Sequence, residues 1–323
     1  MAKTILVTGG AGFIGSHLCE KLISLRYKVI CFDNLSSGKK ENLSSLANNP
    51  NFSFIKGDVR NKNQVNDIVK ITDTIYHLAA VVGVENVIKN PLEDIEVNYE
   101  GTKNIIEAAF KQGKKKVIFT SSSEVYGKNN QVPLFEDTSD EIFGQTNISR
   151  WIYGHSKALS EHLLFAYGDK GLPYTIIRYF NCFGPRGINN LYANVIPIFI
   201  NNSLKGLSLP VFGDGTQSRS FCYINDSVHG TVLAGEKLNK EIINIGSSRE
   251  VTINKLAKMV IKLTHSKSKV KYVNPQKIYK VKFEDSARRV PSITKAEKLI
   301  GWKAKISLEE GLLNTINWMK QEK

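Results

Sequence analysis

The sequence predicts an α/β protein, a doubly wound parallel sheet with helices on both faces and a smaller, discontinuous α/β region. Three observations carry this. Short apolar runs alternate with helix-period stretches through the first half of the 323 residues. The first run ends in a cluster of glycines that opens a helix. Beyond Gly184-Pro185 the alternation loosens into loops and isolated elements.

Taken in order, strands are expected at Ile5–Thr8, Lys28–Phe32, Phe52–Lys56, Thr74–His77, Lys116–Thr120 and Tyr174–Arg178. Helices are expected over Gly15–Leu25, Asn63–Val69, Val97–Gln112 and Tyr153–Tyr167. Residues 1–180 form mainly the sheet domain and 181–323 mainly the second region, with some segments returning to the sheet. There, a helix near Ala193–Leu204, a strand near Glu241–Ile245 and a helix near Thr252–Thr264 are expected. Lys128–Ser149 is long and rich in turn residues, a length more typical of a functional lid than of a connector.

Composition is that of a globular protein, with 41% apolar and 23% charged residues. No apolar run approaches the roughly 20 residues of a membrane span, and residues 3–8 read as a strand rather than a leader. Cys19, Cys31, Cys182 and Cys222 are far apart, as expected of buried thiols in a reducing cytoplasm. The six histidines lack ligand spacing, so no metal site is expected. The net charge is +14, and Lys255–Lys305 holds fifteen Lys and Arg against three acids. With no nucleic-acid motif there, a solvated face that attracts anionic substrates is the simpler reading, and neither a nucleic-acid nor a membrane partner is expected.

Thr8-Gly9-Gly10-Ala11-Gly12-Phe13-Ile14-Gly15 carries the sharpest signal. Gly9 permits a tight strand-to-helix turn, Gly12 lets a pyrophosphate approach the backbone, and Gly15 lets the helix pack close, as in Rossmann-type dinucleotide sites. Asp33 lies eighteen residues after Gly15 at the end of the next strand. An acid there accepts from ribose hydroxyls and repels a 2′-phosphate, favouring NAD over NADP. Asp58 ends another strand-like run, and Leu78-Ala79-Ala80 ends a further one with small residues. Tyr153 and Lys157 stand four apart on an expected helix and so share a face. An ammonium and a cationic nicotinamide nearby would make the tyrosine a competent base. Ser121, Ser122 and Ser123 follow a strand, where a hydroxyl can bridge substrate and tyrosine.

With these landmarks stand Asp33-Asn34-Leu35, Gly57-Asp58, His77-Leu78-Ala79-Ala80, Asn98 in Val97-Asn98-Tyr99-Glu100-Gly101-Thr102, Ser122-Ser123-Glu124-Val125-Tyr126-Gly127 and Arg178-Tyr179-Phe180-Asn181-Cys182-Phe183-Gly184-Pro185-Arg186. Phe212-Gly213-Asp214-Gly215, Arg219 and Arg288-Arg289-Val290-Pro291 follow. Nearly the whole chain resembles the extended short-chain dehydrogenase/reductase family, in its nucleotide-sugar epimerase/dehydratase/decarboxylase branch. The resemblance implies an NAD-binding Rossmann domain and a nucleotide-sugar region. NAD would be held by Gly9, Gly12, Phe13, Ile14, Gly15, Asp33, Asn34, Asp58, Val59, Leu78, Ala79, Ala80, Asn98, Tyr153 and Lys157. It implies oxidation at C4 of the sugar, with Tyr153, Lys157, Ser122 and Glu124 as catalytic candidates. Lys157 would also lower the tyrosine pKa. Asn181, Asn194, Val195, Phe212, Arg219 and one of Arg288/Arg289 would hold the substrate. A homodimer built on the helices near Val97–Gln112 and Tyr153–Tyr167 is implied too.

The 4-keto sugar permits several second steps. A UDP-sugar 4-epimerase is the leading expectation and UDP-glucuronate decarboxylation the alternative. A 4,6-dehydratase, a net 4-dehydrogenase and a non-catalytic NAD-binding regulator follow. Glu124 resembles UDP-glucuronate decarboxylases and 4,6-dehydratases alike, while Ser123 in place of Asp counts against dehydration. The stretches Arg150-Trp151-Ile152-Tyr153 and Arg289-Val290-Pro291-Ser292 are similar to a decarboxylase, and many epimerase-like sequences share their Arg-Trp-x-Tyr and Arg-Arg-Val-Pro features.

Overall fold

Seven parallel strands build the centre of the computed structural model, which describes residues 2–187 and 195–321. They are β1 (Thr4–Thr8), β2 (Lys28–Asp33), β3 (Phe52–Lys56), β4 (Thr74–His77), β5 (Lys116–Ser122), β6 (Tyr174–Tyr179) and β7 (Glu241–Ile245). Their order across the sheet is β7-β6-β5-β4-β1-β2-β3. The reversal of direction beside β1 leaves a crevice at the strand C-termini, where doubly wound sheets bind ligands. Thr8 aligns with Phe32 and His77, so the ends of β1, β2 and β4 are level at that crevice.

The strands are β-branched and apolar because helices cover both faces. Val7, Val117, Ile176 and Ile243 are all fully buried. β6 is buried along its whole length, including Arg178, whose guanidinium is paired with Glu161 at 2.6 Å. Phe13–Ser24 forms the helix after the glycine turn and Ile152–Asp169 the helix bearing Tyr153 and Lys157.

Two sequence expectations change. The helix expected over Val97–Gln112 is α-helical only from Thr102 to Lys111; Ile95–Gly101 forms a wider π-type turn. There Asn98 and Thr102 are both buried, and Thr102 Oγ1 donates to Asn98 O at 2.6 Å. Such a turn admits an extra residue and re-aims its side chains. The stretch 128–149 is not a free lid. Leu134 N–H donates to Val290 O (2.8 Å), Ser292 N–H donates to Leu134 O (2.7 Å), and Glu136 Oε1 accepts from Asn244 N–H of β7 (2.8 Å).

The second region is stitched by two- to four-residue strands too short for periodicity to reveal. Ser218–Ser220 pairs with Glu250–Thr252 and Arg288–Arg289, Leu209–Phe212 with Val270–Val273, and Cys182–Phe183 with Cys222–Tyr223. Val195–Leu204 is the described part of the helix expected near Ala193–Leu204. The C-terminal segment is held by Trp302, which is 1% exposed and donates through Nε1 to Asp226 O at 3.0 Å. Asp226 Oδ2 in turn accepts from the amides of Lys305 and Ile306. Among the described residues no helix is long and apolar enough to cross a membrane.

Trp302→Ala should destabilise the protein by about 3–5 kcal/mol through the cavity it leaves, seen as an earlier midpoint in denaturant unfolding. An unchanged midpoint would show that the C-terminal segment is not anchored there.

Candidate active site

The glycine turn has the shape its spacing predicts. Gly9 has φ +68°, a left-handed conformation suited to glycine. A Cβ on Gly15 would lie 2.1 Å from Gly9 O, so the helix reaches the turn only because that position is bare. Gly9, Gly12, Phe13, Ile14 and Gly15 line a cavity of about 340 Å³ along the strand ends. Leu78, Ala79 and Ala80 form another wall, with the amides of Leu78 and Ala79 donating to Thr8 Oγ1 at 3.2 Å.

Asp33 and Asn34 line the far end. Each Asp33 carboxylate oxygen accepts one backbone amide, Ala11 N–H at 3.0 Å and Leu35 N–H at 2.8 Å. Burial raises the Asp33 pKa while those two bonds oppose the rise, and lone pairs remain for ribose hydroxyls. Val59 is on the wall but Asp58 is not. Asp58 pairs with Arg60 at 2.7 Å and accepts from Asn34 Nδ2 at 3.0 Å, which hold it down to about 2. Asn98 also lies off the wall and acts through Val81, whose N–H it accepts at 2.8 Å and whose O it meets with Nδ2 at 3.0 Å.

Tyr153, Lys157, Ser122 and Glu124 converge at the near end of this cavity. Lys157 is 2% exposed and donates through Nζ to Thr120 O of β5 at 2.9 Å. Its ammonium lies 4.7 Å from the Phe119 ring centroid and 5.9 Å from that of Tyr153. Burial brings the Lys157 pKa down to about 8, against the pull of Asp94 and Glu161. The Tyr153 phenol is hydrogen-bonded to Ser122. Its pKa differs from the sequence expectation. Burial, and then the charges of Asp94 and Glu124, push it above the ordinary tyrosine value, and only the Ser122 bond lowers it. The protein alone therefore keeps Tyr153 protonated.

A second cavity of about 540 Å³ adjoins the first, sharing Phe13, Glu124, Arg150, Asn181 and Cys182 as walls. At the junction lies an ionic cluster that sequence reasoning only half found. Glu124 pairs with Arg150 at 2.8 Å and with Arg289. Asp285 pairs with Arg219 at 2.8 Å and Arg150 at 3.3 Å. Three guanidiniums thus face two carboxylates. Burial works against the charge on Glu124, but Arg150 and Arg289 outweigh it and hold the carboxyl well below the usual range. The Nε atoms of Arg150 and Arg289 are buried with no hydrogen-bond partner. Arg288 instead turns outward to Glu250 at 2.7 Å.

Asn181, at φ +39°, donates through Nδ2 to Ser220 O at 2.8 Å and touches both cavities. Val195 and Phe212 line the second cavity; Asn194 lies outside the described residues. Phe212 meets Tyr279 and Phe283 edge-on, and those two rings stack at 5.1 Å. Arg150, Asp285, Tyr279 and Phe283 are site residues the motifs did not isolate. The sequence signals for them were the stretch Arg150-Trp151-Ile152-Tyr153, which places Arg150 one helical turn before Tyr153, and the aromatics Tyr279 and Phe283 inside the lysine-rich stretch.

A model of the NAD dependent epimerase/dehydratase family matches residues 5–246. The chain belongs to that family. It is 44% identical over 322 residues, 99% of both chains, to a UDP-N-acetyl-alpha-D-glucosaminuronate decarboxylase of Bacillus cytotoxicus. The crystal structure of a Thermotoga maritima UDP-glucose 4-epimerase with UDP-glucose superimposes with a TM-score of 0.89 at 35% identity over 99% of both chains. That of a Bacillus cereus UDP-glucuronic acid 4-epimerase with UDP-glucuronic acid and NAD gives 0.88 at 30% identity, covering 99% of this chain and 100% of that one. This family member is an NAD-dependent enzyme of the nucleotide-sugar epimerase and decarboxylase group. The bare glycine turn, the Asp33 carboxylate and the buried Lys157 ammonium fit NAD along one trough.

Gly15→Ala should weaken NAD binding by roughly tenfold or more, about 1.4 kcal/mol per decade. Calorimetry on variant and wild type, with circular dichroism to verify folding, measures this; equal affinities would contradict the close packing of turn and helix.

Proposed function

We propose that the protein oxidises C4 of a UDP-linked hexuronate and releases its C6 carboxylate as CO2, giving a UDP-pentose or its 2-acetamido analogue. The observation that carries this is the surplus of guanidinium at the cavity junction. Arg150 shares a cavity with Tyr153 and Ser122, Arg289 lines the adjoining one, and the Nε donor of each is unspent. A uronate brings a carboxylate that such a site can hold, and a neutral hexose does not. The 44% identity to a decarboxylase of a UDP-linked uronate over the full length supports the same reading.

The chain's residues divide the work. Phe212, Tyr279 and Phe283 offer an aromatic face to a uracil, and Arg219 with Asn181 suits the diphosphate. Bound in the trough, NAD supplies the hydride acceptor for C4. Tyr153 takes the C4 hydroxyl proton, directly or through Ser122. The phenolate forms only when further cationic charge joins Lys157 in the cavity, because burial, Asp94 and Glu124 otherwise keep the proton in place. Oxidation makes the sugar a β-keto acid. The C5–C6 bond then breaks, its electron pair moves toward the C4 oxygen, and a proton returns to C5 before C4 is reduced again. Glu124 holds Arg150 and Arg289 in register for the carboxylate. We assign NAD mainly to residues 1–180 and the nucleotide sugar mainly to 181–323, with Glu241–Ile245 returning to the sheet.

C4 epimerisation is the second reading. The same Tyr153, Lys157 and Ser122 serve it, and the likeness to a UDP-glucuronic acid 4-epimerase favours it. A homodimer is proposed on the exposed apolar side chains of Leu92 (66%), Ile95 (43%) and Leu159 (49%), which lie on or beside the two helices expected to pair. The four free thiols suit a reducing cytoplasm.

Incubation with UDP-glucuronate and UDP-N-acetylglucosaminuronate should release CO2, read by mass spectrometry. Unchanged mass with inversion at C4 would favour epimerisation, and no change in either sugar would overturn both readings. Tyr153→Phe should lower kcat by about 10²–10⁴ by removing the general base, with NAD still bound; turnover within a few-fold of wild type would refute its role. Light scattering should give twice the 36.1 kDa chain mass, and Leu159→Glu should halve it; a monomeric wild type would contradict the dimer.

A further inference from the structure

Beside the catalytic pair lies a buried acid that no motif singled out. Asp94 is 0% exposed. Its Oδ1 accepts from Ser156 Oγ at 2.9 Å, and Ser156 stands between Tyr153 and Lys157 on one helix. Its Oδ2 accepts from Asn98 Nδ2 at 2.8 Å. That same Asn98 side chain grips both backbone groups of Val81, which lines the cofactor cavity. One carboxylate therefore links the helix bearing the base to the loop that walls the cofactor site.

The surrounding charges are otherwise neutralised. Glu161 is paired with Arg178, and Glu124 with Arg150 and Arg289. Lys89 pairs with Glu85 and Glu96 with Arg60 toward the surface. His77, facing from β4, is kept neutral, its pKa pushed down to about 3 by burial and by Lys157. Among the described residues Asp94 has no ion-pair partner of its own, and the cation whose field it shares is Lys157.

We infer that Asp94 is a positioning residue for the C4 oxidation. It is the counter-charge of the buried Lys157 ammonium, and through Ser156 and Asn98 it sets the Tyr153–Lys157 helix against the Val81 loop. The inference rests on the reading of Tyr153 and Lys157 given above. Removing this negative charge makes Lys157 easier to deprotonate and Tyr153 easier to ionise, so both limbs of the activity profile move toward lower pH. Asp94→Asn keeps the shape and still accepts from Ser156. It also turns an N–H toward the Asn98 amide, which must then rotate and lose part of its grip on Val81. Burial, the largest influence on Asp94, pushes its pKa up to about 6, so the wild type itself gives up this charge below that pH.

The test compares full-length wild type, Asp94→Asn and Ser156→Ala by the pH profile of kcat/KM on the UDP-hexuronate and by NAD affinity from calorimetry. Asp94→Asn should move the optimum down by roughly one pH unit and weaken NAD about three- to tenfold, its profile meeting the wild-type one below about pH 6. Ser156→Ala, which removes a tether but no charge, should leave the optimum in place. An Asp94→Asn optimum and NAD affinity equal to wild type would overturn the inference, whatever happens to its melting temperature. Should Asp94→Asn fail to fold, the wild-type NAD affinity must itself fall as pH drops through about 6; a flat dependence would overturn it. A wild type inactive on every uronate would count against the proposed function instead, and the affinity measurements would still test Asp94.

Discussion

The bond from the Lys157 ammonium to the Thr120 carbonyl is the constraint on which the site depends. It fastens the helix Ile152–Asp169 to the end of β5. A side chain that is 2% exposed fixes the helix's rotation as well as its distance. That rotation places Tyr153 beside Ser122, because the two lie on the elements this bond joins. A buried ammonium is costly unless its charge is answered. The carbonyl, the Phe119 ring and nearby acids answer it here.

The same balance recurs at the junction of the two cavities, with the opposite excess. There the carboxylates of Glu124 and Asp285 are outnumbered by Arg150, Arg219 and Arg289. Removing one partner of such a network strands the others, so its members are interdependent. The two charge systems meet at Glu124, which pairs with the arginines and also raises the Tyr153 pKa. The carboxylate that holds Arg150 and Arg289 in place thus also helps to keep Tyr153 protonated in the protein alone.

Much of this was legible in the sequence where the governing interactions are local. The glycine turn, Asp33 at the end of β2 and the Tyr153–Lys157 spacing depend on neighbours a few residues away, and the structure places them together on one cavity. Asp58 and Asn98 show where local reading stops. Asp58 lies two residues past β3 and Asn98 in the π-type turn, yet Arg60 and Val81 draw their side chains off the cavity wall. Arg288 and Arg289 differ only by strand alternation, which sends one outward and the other inward. Asp94, Arg150 and Asp285 owe their roles to partners brought near only by the fold. The stretch 128–149 resembled a lid by composition and is stitched down by backbone bonds that composition does not encode.

The role proposed for Tyr153 and Lys157 is an oxidation at C4 by the dinucleotide in the adjoining trough. The most direct measurement mixes the NAD-loaded protein with UDP-hexuronate carrying hydrogen or deuterium at C4, and follows the absorbance of reduced nicotinamide alongside product. A transient rise in that absorbance is expected, slower to form with deuterium and decaying as product appears. Product formed at equal rates from both substrates, with no absorbance change, would contradict it.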